Sequence, residues 1–446
     1  MSKKQTTQEH INKIIEFRQA VYTNGFGRQR DALIEALDAT CMTGAISSFP
    51  LLSLSKSFQR QWHSLYKAME RGTIEAEWLS HHLAQQVPKA GIQYFSLDGT
   101  AWPRPRARTM DDRQYVYHPT PAVNGGSVCI GYPYSLLDWV PEAHSSWSLP
   151  VSVKRIPSQM TAGEMGIAQI KELSENREHL QDVLDIIAAD GKYGHAKFLR
   201  PLKGHRCGIA VRFRRDRVLY QAPEQPEKRE RGRPRIHGKR FAFKEPDTWG
   251  TPDEIITLEH EKLGQVKLER WNTLHGKNDA DVPIDVIRAS IHLEKDQPPK
   301  PIWIAWQAPV DVPENLVINA KTIWQAYVHR WPVEPGIRFR KQRLGWTTPQ
   351  FQDKETGDRW SWLVALAVWL LFLARPIVED HPLPWQKPQN NLTPQRVQQS
   401  LPLIFAQFGS PARKPKVRGK PPGWPKGKPR TPKPPFKVVK KQLATA

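Results

Sequence analysis

Three acids in this 446-residue chain have the residue types and the settings to do chemistry together. Asp98 ends the apolar run IQYFSLD (92–98), and Asp190 ends VLDIIAAD (183–190); a glycine follows each directly. Acids at the ends of buried strands can meet at one edge of a sheet, where a cation must offset the cost of dehydrating them. Mg²⁺ suits such a place because it takes oxygen ligands, keeps waters and pairs with phosphate oxygens; Mn²⁺ is expected to substitute. Two such ions roughly 4 Å apart would activate water or a 3′-hydroxyl and stabilise the leaving oxygen of an in-line displacement. Taken alone, each Asp-Gly is also an ordinary turn signal. Glu334 is what joins them. It is the lone carboxylate of YVHRWPVEPGIRFRK (327–341), a run otherwise dominated by Arg, Lys and aromatic residues, and it would be the third ligand. A plain amphipathic helix with solvated cations is the alternative for that stretch.

If Pro332 opens a helix, where its missing N–H does no harm, then Glu334, Arg338 and Lys341 fall at i, i+4 and i+7 and share a face. Tyr327 and Arg330 lie at i and i+3 on the preceding helix and can point to the same place. Arginine offers bidentate phosphate contacts, lysine a point charge and tyrosine a hydrogen bond, so the set reads as a phosphate clamp around a metal site.

The elements that must position these residues follow from composition and pattern. A formal net charge of +22 and a pI near 9.9 point to a polyanion, nucleic acid ahead of an anionic membrane. The opening MSKKQTTQEH leads into no apolar signal region, and the longest apolar run, Trp360 to Ala374, is shorter than the roughly 18–20 residues a spanning helix needs. It reads as a buried core helix, and no membrane partner is expected. Cys41, Cys129 and Cys207 form no CxxC pair, which argues against structural zinc and disulfides and fits a reducing cytoplasm.

Residues 1–88 read as a helical N-terminal domain with a basic face of Arg28, Arg30, Lys56, Arg60 and Lys67, either a DNA-binding unit or a helical cap or dimerisation element. Residues 89–206 read as mixed α/β: strands over 92–98, 127–137, 149–156 and 183–190, and a helix over 162–176. Residues 207–300 read as a β-rich insertion, with a strand over 208–214 and a hairpin over 256–271. Within it, RGRPRIHG (231–238) places Arg231 and Arg233 to enter a narrow minor groove, or simply in a solvated loop. Residues 301–380 return to the core with a strand over 301–310 and helices over 317–330, 334–344 and 360–374. From His381 to the end there is no acid, and the last 37 residues hold 12 Lys/Arg and 9 Pro, so 381–446 reads as an extended, disordered basic tail.

Tyr327, Arg330, Glu334 and Lys341 match the Y-(2)-R-(3)-E-(6)-K signature at all four positions. With SLDGT around Asp98 and AADGKYG around Asp190, the chain over roughly 92–345 resembles the DDE-class transposases of bacterial insertion sequences. The resemblance implies an α/β fold whose RNase H-like catalytic core is interrupted by a β-rich insertion between the second Asp and the Glu. It further implies Asp98, Asp190 and Glu334 as catalytic metal ligands, Mg²⁺-dependent cleavage at element ends, and strand transfer into target DNA by cut-and-paste. The implied partners are double-stranded DNA and further copies of the chain in a synaptic oligomer, in a bacterial, nucleoid-associated setting. Related enzymes cut through a hairpin with a base flipped onto an aromatic ring, which makes Trp331, and Trp303 on the preceding strand, stacking candidates, with core packing as the favoured alternative for either ring. An inactive DNA-binding protein and a metal-dependent nuclease or resolvase on the same fold are the alternatives. Three uncompensated carboxylates would be costly in a pure binder, and a nuclease would have no use for the four-residue signature.

Overall fold

The structure, a computed structural model, describes residues 3–117, 127–223, 235–260, 263–292, 299–416, 423, 425–429 and 432–440. Among the described residues five helices open the chain: α1 (Lys3–Ala20), α2 (Arg30–Met42), α3 (Phe49–Leu52), α4 (Trp62–Arg71) and α5 (Ala76–Gln86). Then come β1 (Gly91–Pro103), β2 (Gln114–Tyr117), β3 (Val128–Trp139), β4 (Leu149–Arg155), α6 (Ala162–Arg177), β5 (Val183–Ala189), α7 (Ala196–Leu199) and β6 (Gly208–Phe213). They are followed by β7 (Val218–Tyr220), β8 (Arg240–Ala242), β9 (Glu254–His260), β10 (Gly264–Gly276), β11 (Asp279–His292) and β12 (Ile302–Gln307). Helices α8 (Ala320–Val328), α9 (Val333–Gln342), α10 (Lys354–Ala374) and α11 (Pro394–Ser400) complete the order.

The described strands join in one mixed twelve-stranded sheet, ordered β2-β3-β1-β5-β6-β12-β11-β10-β7-β8, with β4 on β3 and β9 on β10. At its centre β1, β5 and β6 are parallel, while β3 and β4 are antiparallel to their neighbours. Parallel strands at a sheet centre are covered on both faces, so they read as unbroken apolar runs; β5 is buried along its whole length. Its side chains alternate. Leu184 and Ile186 pack with Ile323 and Trp324 of α8, whereas Ile187 and Ala189 join the core that contains α10. Helix α10 is long and apolar enough by length and composition to cross a membrane. Here its Leu363, Leu366 and Leu370 are fully buried where it packs on α1, α2 and β4; burying each contributes about 1.5–3 kcal/mol. Helix α6 begins with a capping box, Thr161 and Glu164 each satisfying the other's backbone N–H.

Several expectations met a different outcome. The first acidic strand does not stop at Asp98: β1 continues to Pro103 because antiparallel pairing with β3 extends to Pro103 and Gly131. Strand β2 arises from a stretch that reads as merely polar. The run 208–214, expected to open the insertion, is β6, seated between β5 and β12 within the central sheet. The 1–88 helices share one apolar core with α10. The C-terminal region is not simply extended: α11 and the turns after it bury Val397, Leu401, Phe405 and Phe408. The Arg18 guanidinium holds them by donating to the Phe408 and Gly409 carbonyls. Further on, Val439 pairs beside Gln114 at the sheet edge.

Candidate active site

The register of β1 and β5 brings the two aspartates together. Their last paired positions are Leu97 and Ala189, so Asp98 and Asp190 are the next residues on neighbouring strands. Leu97 lies on the α6 side, within reach of Gly166, and strand alternation therefore turns Asp98 to the other face, over which α8 lies. Asp98 is largely buried, 13% exposed, and accepts from the Gly99 N–H at 2.7 Å and from Arg330 at 3.3 Å. Asp190 leaves β5 as the cap of a single turn, its Oδ1 accepting the Lys192 N–H at 3.0 Å. The Lys192 Nζ lies between the acids, 3.3 Å from Asp98 and 3.9 Å from Asp190. Beneath them Tyr193 is buried, and burial together with the two carboxylates pushes its hydroxyl well above the ordinary tyrosine range.

The other wall comes from α8 and α9. Asn319 caps α8 through the Thr322 N–H, and the helix ends just before Arg330. Pro332 then sits at the N-cap of α9 and Pro335 in its first turn, where backbone N–H groups have no intrahelical partner, so both prolines are compatible with a regular helix. Glu334 occupies that first turn, exposed at the positive end of the helix dipole, and makes no ion pair among the described residues. Helix α9 is fixed close to the sheet. A Cβ at Gly336 would come 2.9 Å from that of Ser148, and Arg340 grips the buried Asp138 of β3 at 2.6 Å.

The remaining candidates divide by exposure. Trp331 is 68% exposed beside Arg330, whereas Trp303 is 3% exposed and stacked on Phe243 at 4.2 Å. Trp303 is therefore a core residue and unavailable for stacking on a ligand. Tyr327 is half-buried beside Trp324. Arg338 is exposed on α9, but Lys341 turns to β1 and donates to the Ala101 carbonyl at 3.0 Å. Burial, with Arg340 nearby, lowers the Lys341 ammonium to about 8. Arg231 and Arg233 lie outside the described residues.

Asp190, Arg330 and Glu334 line a cleft of about 630 Å³ together with Arg212, Arg214, Arg215 and Asp216 from the end of β6 and Lys244 after β8. Five cations against three acids suit a polyanion next to a cation-binding point. Sequence reasoning missed Lys192, Arg212, Arg214, Arg215 and Lys244; the clue was present in RFRR at the end of an apolar strand. Among the described residues no group of three or more His, Cys, Asp or Glu side chains is gathered to hold a metal ion. Asp98 and Asp190 nevertheless offer only oxygen donors and already converge on the Lys192 ammonium, a cation standing where a hard divalent ion would fit. Asp98 thus meets two cations, Lys192 and Arg330, and Glu334 lines the same cleft as Asp190 without gathering with the two aspartates at one point.

A family model described as DDE superfamily endonuclease matches residues 21–276, a span that includes Asp98 and Asp190 and ends before Glu334. Among solved structures the chain is similar to a piggyBac transposase in a cryo-electron-microscopy synaptic complex with hairpin DNA. That similarity has 11% identity and a TM-score of 0.36, over 91% of this chain and 80% of that one. No curated protein matches the sequence.

Proposed function

Because the chain belongs to the DDE superfamily endonucleases, we propose that it is a DNA transposase of the bacterial insertion-sequence type, which cuts double-stranded DNA at element ends and joins them to target DNA. The observation that carries this reading is the adjacency of Asp98 and Asp190 around one shared cation at the edge of a basic cleft that Glu334 also lines. Strands β4-β3-β1-β5-β6, antiparallel then parallel, support an RNase H-like core, and β7 to β11 support a β-rich insertion before Glu334.

In this reading Asp98 and Asp190 would hold Mg²⁺, with Mn²⁺ able to replace it, and Glu334, which lines the same cleft, would be brought in as the third ligand. The bound ion supplies Lewis acidity for attack on a phosphodiester. The rest falls to the chain's own residues. Arg330 orients Asp98 and takes a phosphate oxygen on its free edge, and Tyr327 and Arg338 flank it. Lys341 contributes charge once it leaves the Ala101 carbonyl. Arg212, Arg214, Arg215 and Lys244 carry the strand past the acids, Trp331 stacks on an unpaired base, and Arg231 and Arg233 are further DNA contacts. Two or more copies assemble around paired ends in the bacterial cytoplasm.

The test is metal-dependent nicking of an element-end duplex. Asp98→Asn and Asp190→Asn should each lower nicking by at least about 100-fold, or ~2.7 kcal/mol of barrier, with duplex binding in a gel-shift assay nearly unchanged. Nicking that survives either substitution overturns the assignment of the acids. Wild-type binding with no nicking at any divalent metal would leave a DNA-binding protein on this fold.

A further inference from the structure

Lys192 is used by none of the roles above, yet its ammonium occupies the point on which both aspartates converge. Three observations set it apart from an ordinary surface lysine. Its Nζ contacts two acids, one on β1 and one just past the end of β5, at 3.3 Å and 3.9 Å. It also lies over the Tyr193 ring at 4.9 Å, so the amine has an aromatic seat as well as two counter-charges. Finally, a Cβ at Gly99 would stand 3.0 Å from Nζ, so the missing side chain at Gly99 leaves room for the amine in its present position.

We infer that Lys192 is the resident counter-ion of the metal-free site and is displaced when a divalent cation binds, so that it sets how tightly the metal is held. The inference rests on the reading of Asp98 and Asp190 as metal ligands. Without a counter-ion, two adjacent carboxylates at the end of a buried parallel pair would repel each other across a short distance. One ammonium between them relieves that repulsion. The same ammonium is loosely tied. Its side chain is 41% exposed, it donates one hydrogen bond of 3.3 Å, and its stem is flexible. Arg330, the other cation on Asp98, is 19% exposed and approaches from the opposite wall, so it can stay while Lys192 leaves. A doubly charged ion that satisfies both acids replaces a singly charged one that satisfies them at long range. The released side chain then projects toward a cleft already lined by Arg212 and Arg215, where phosphate would meet it.

Mn²⁺ binding to the full chain without DNA, measured by isothermal titration calorimetry, tests this independently of cleavage. Lys192→Gln should bind Mn²⁺ about two- to fivefold more tightly than wild type, the scale of one or two partly exposed ion pairs. In EDTA its melting temperature should fall, and saturating Mn²⁺ should restore it to the wild-type value or above. Lys244→Gln removes a cation from the same cleft without touching either acid and controls for the general field. If Lys192→Gln binds no more tightly than Lys244→Gln, Lys192 does not compete with the metal and the inference is overturned. If Asp98→Asn and Asp190→Asn bind Mn²⁺ as wild type does, the metal-ligand reading itself fails, whatever Lys192 does.

Discussion

Asp98 on β1 and Asp138 on β3 each face an arginine delivered by the segment that runs from the end of α8 through α9. The two pairs are built differently. Asp138 is completely buried and Arg340 is 2% exposed; the guanidinium meets both carboxylate oxygens, at 2.6 Å and 3.3 Å, and the Ser148 hydroxyl donates to the same acid. Asp98 is reached by one guanidinium nitrogen and by the Lys192 ammonium, each at 3.3 Å, and solvent reaches all three side chains. The Asp138 cluster is saturated and dry, so it can only hold α9 on the sheet. The ion pairs of Asp98 are longer and partly solvated, and its Arg330 partner lines the cleft, so these cations can be exchanged. Neighbouring strands thus carry one acid that is sealed against α9 and one, the proposed metal ligand, that stays solvent-accessible, and burial with hydrogen-bond saturation, more than charge, tells them apart.

The sharpest way to break this contrast is to cut each pair. Arg340→Ala leaves the Asp138 charge buried without its partner and should cost about 3–5 kcal/mol, read from denaturant unfolding. Asp98→Asn should change stability by no more than about 1 kcal/mol, while removing nicking. Comparable losses in the two variants would mean that Asp98 is as structural as Asp138.

Lys341 tests whether α9 really presses onto the sheet over its whole length. In the unfolded chain its ammonium keeps its proton to near its ordinary value of 10.5, and in the fold it releases it near 8. Between those values the unfolded state binds the extra proton, so stability rises with pH through that window, by up to about 1.4 kcal/mol per unit. Lys341→Gln should flatten the rise in an unfolding series from pH 7.5 to about 10.5. Parallel profiles for wild type and variant would show that the amine is solvated instead of seated on Ala101.

What could be read from the sequence followed the reach of local signals. The apolar runs before Asp98 and Asp190 predict strands because strands buried on both faces leave no other pattern, and Pro332 predicts the start of α9 because few positions tolerate it. That Asp98 lies in mid-strand was hidden, since the continuation GTAWP is extended only by pairing with β3, thirty residues away. Lys192 was hidden for the same reason. Within DGKYG it reads as a turn cation, and only the parallel register places it against an acid 94 residues earlier. The folded part of the C-terminal region was missed because composition was judged over the whole basic stretch; Val397, Leu401, Phe405 and Phe408 supply an apolar face that the lysines beyond them outweigh in any average.

The smallest expected effect separates two tryptophans that the sequence left equivalent. Trp303 is enclosed by Phe241, Phe243, Trp249 and Trp271, and truncating it to alanine would open a cavity worth about 3–5 kcal/mol. Trp331 stands 68% exposed next to Arg330, so its truncation removes little packing and should shift stability by no more than about 0.5 kcal/mol. A large apolar ring left in water beside a basic cleft gains from covering only when a ligand arrives. Trp331→Ala should therefore weaken binding to a duplex with an unpaired base at the cut site by roughly 1–3 kcal/mol, and binding to a fully paired duplex far less. Equal weakening on both DNAs would make Trp331 a general contact, and no weakening on either would return it to the surface it resembles.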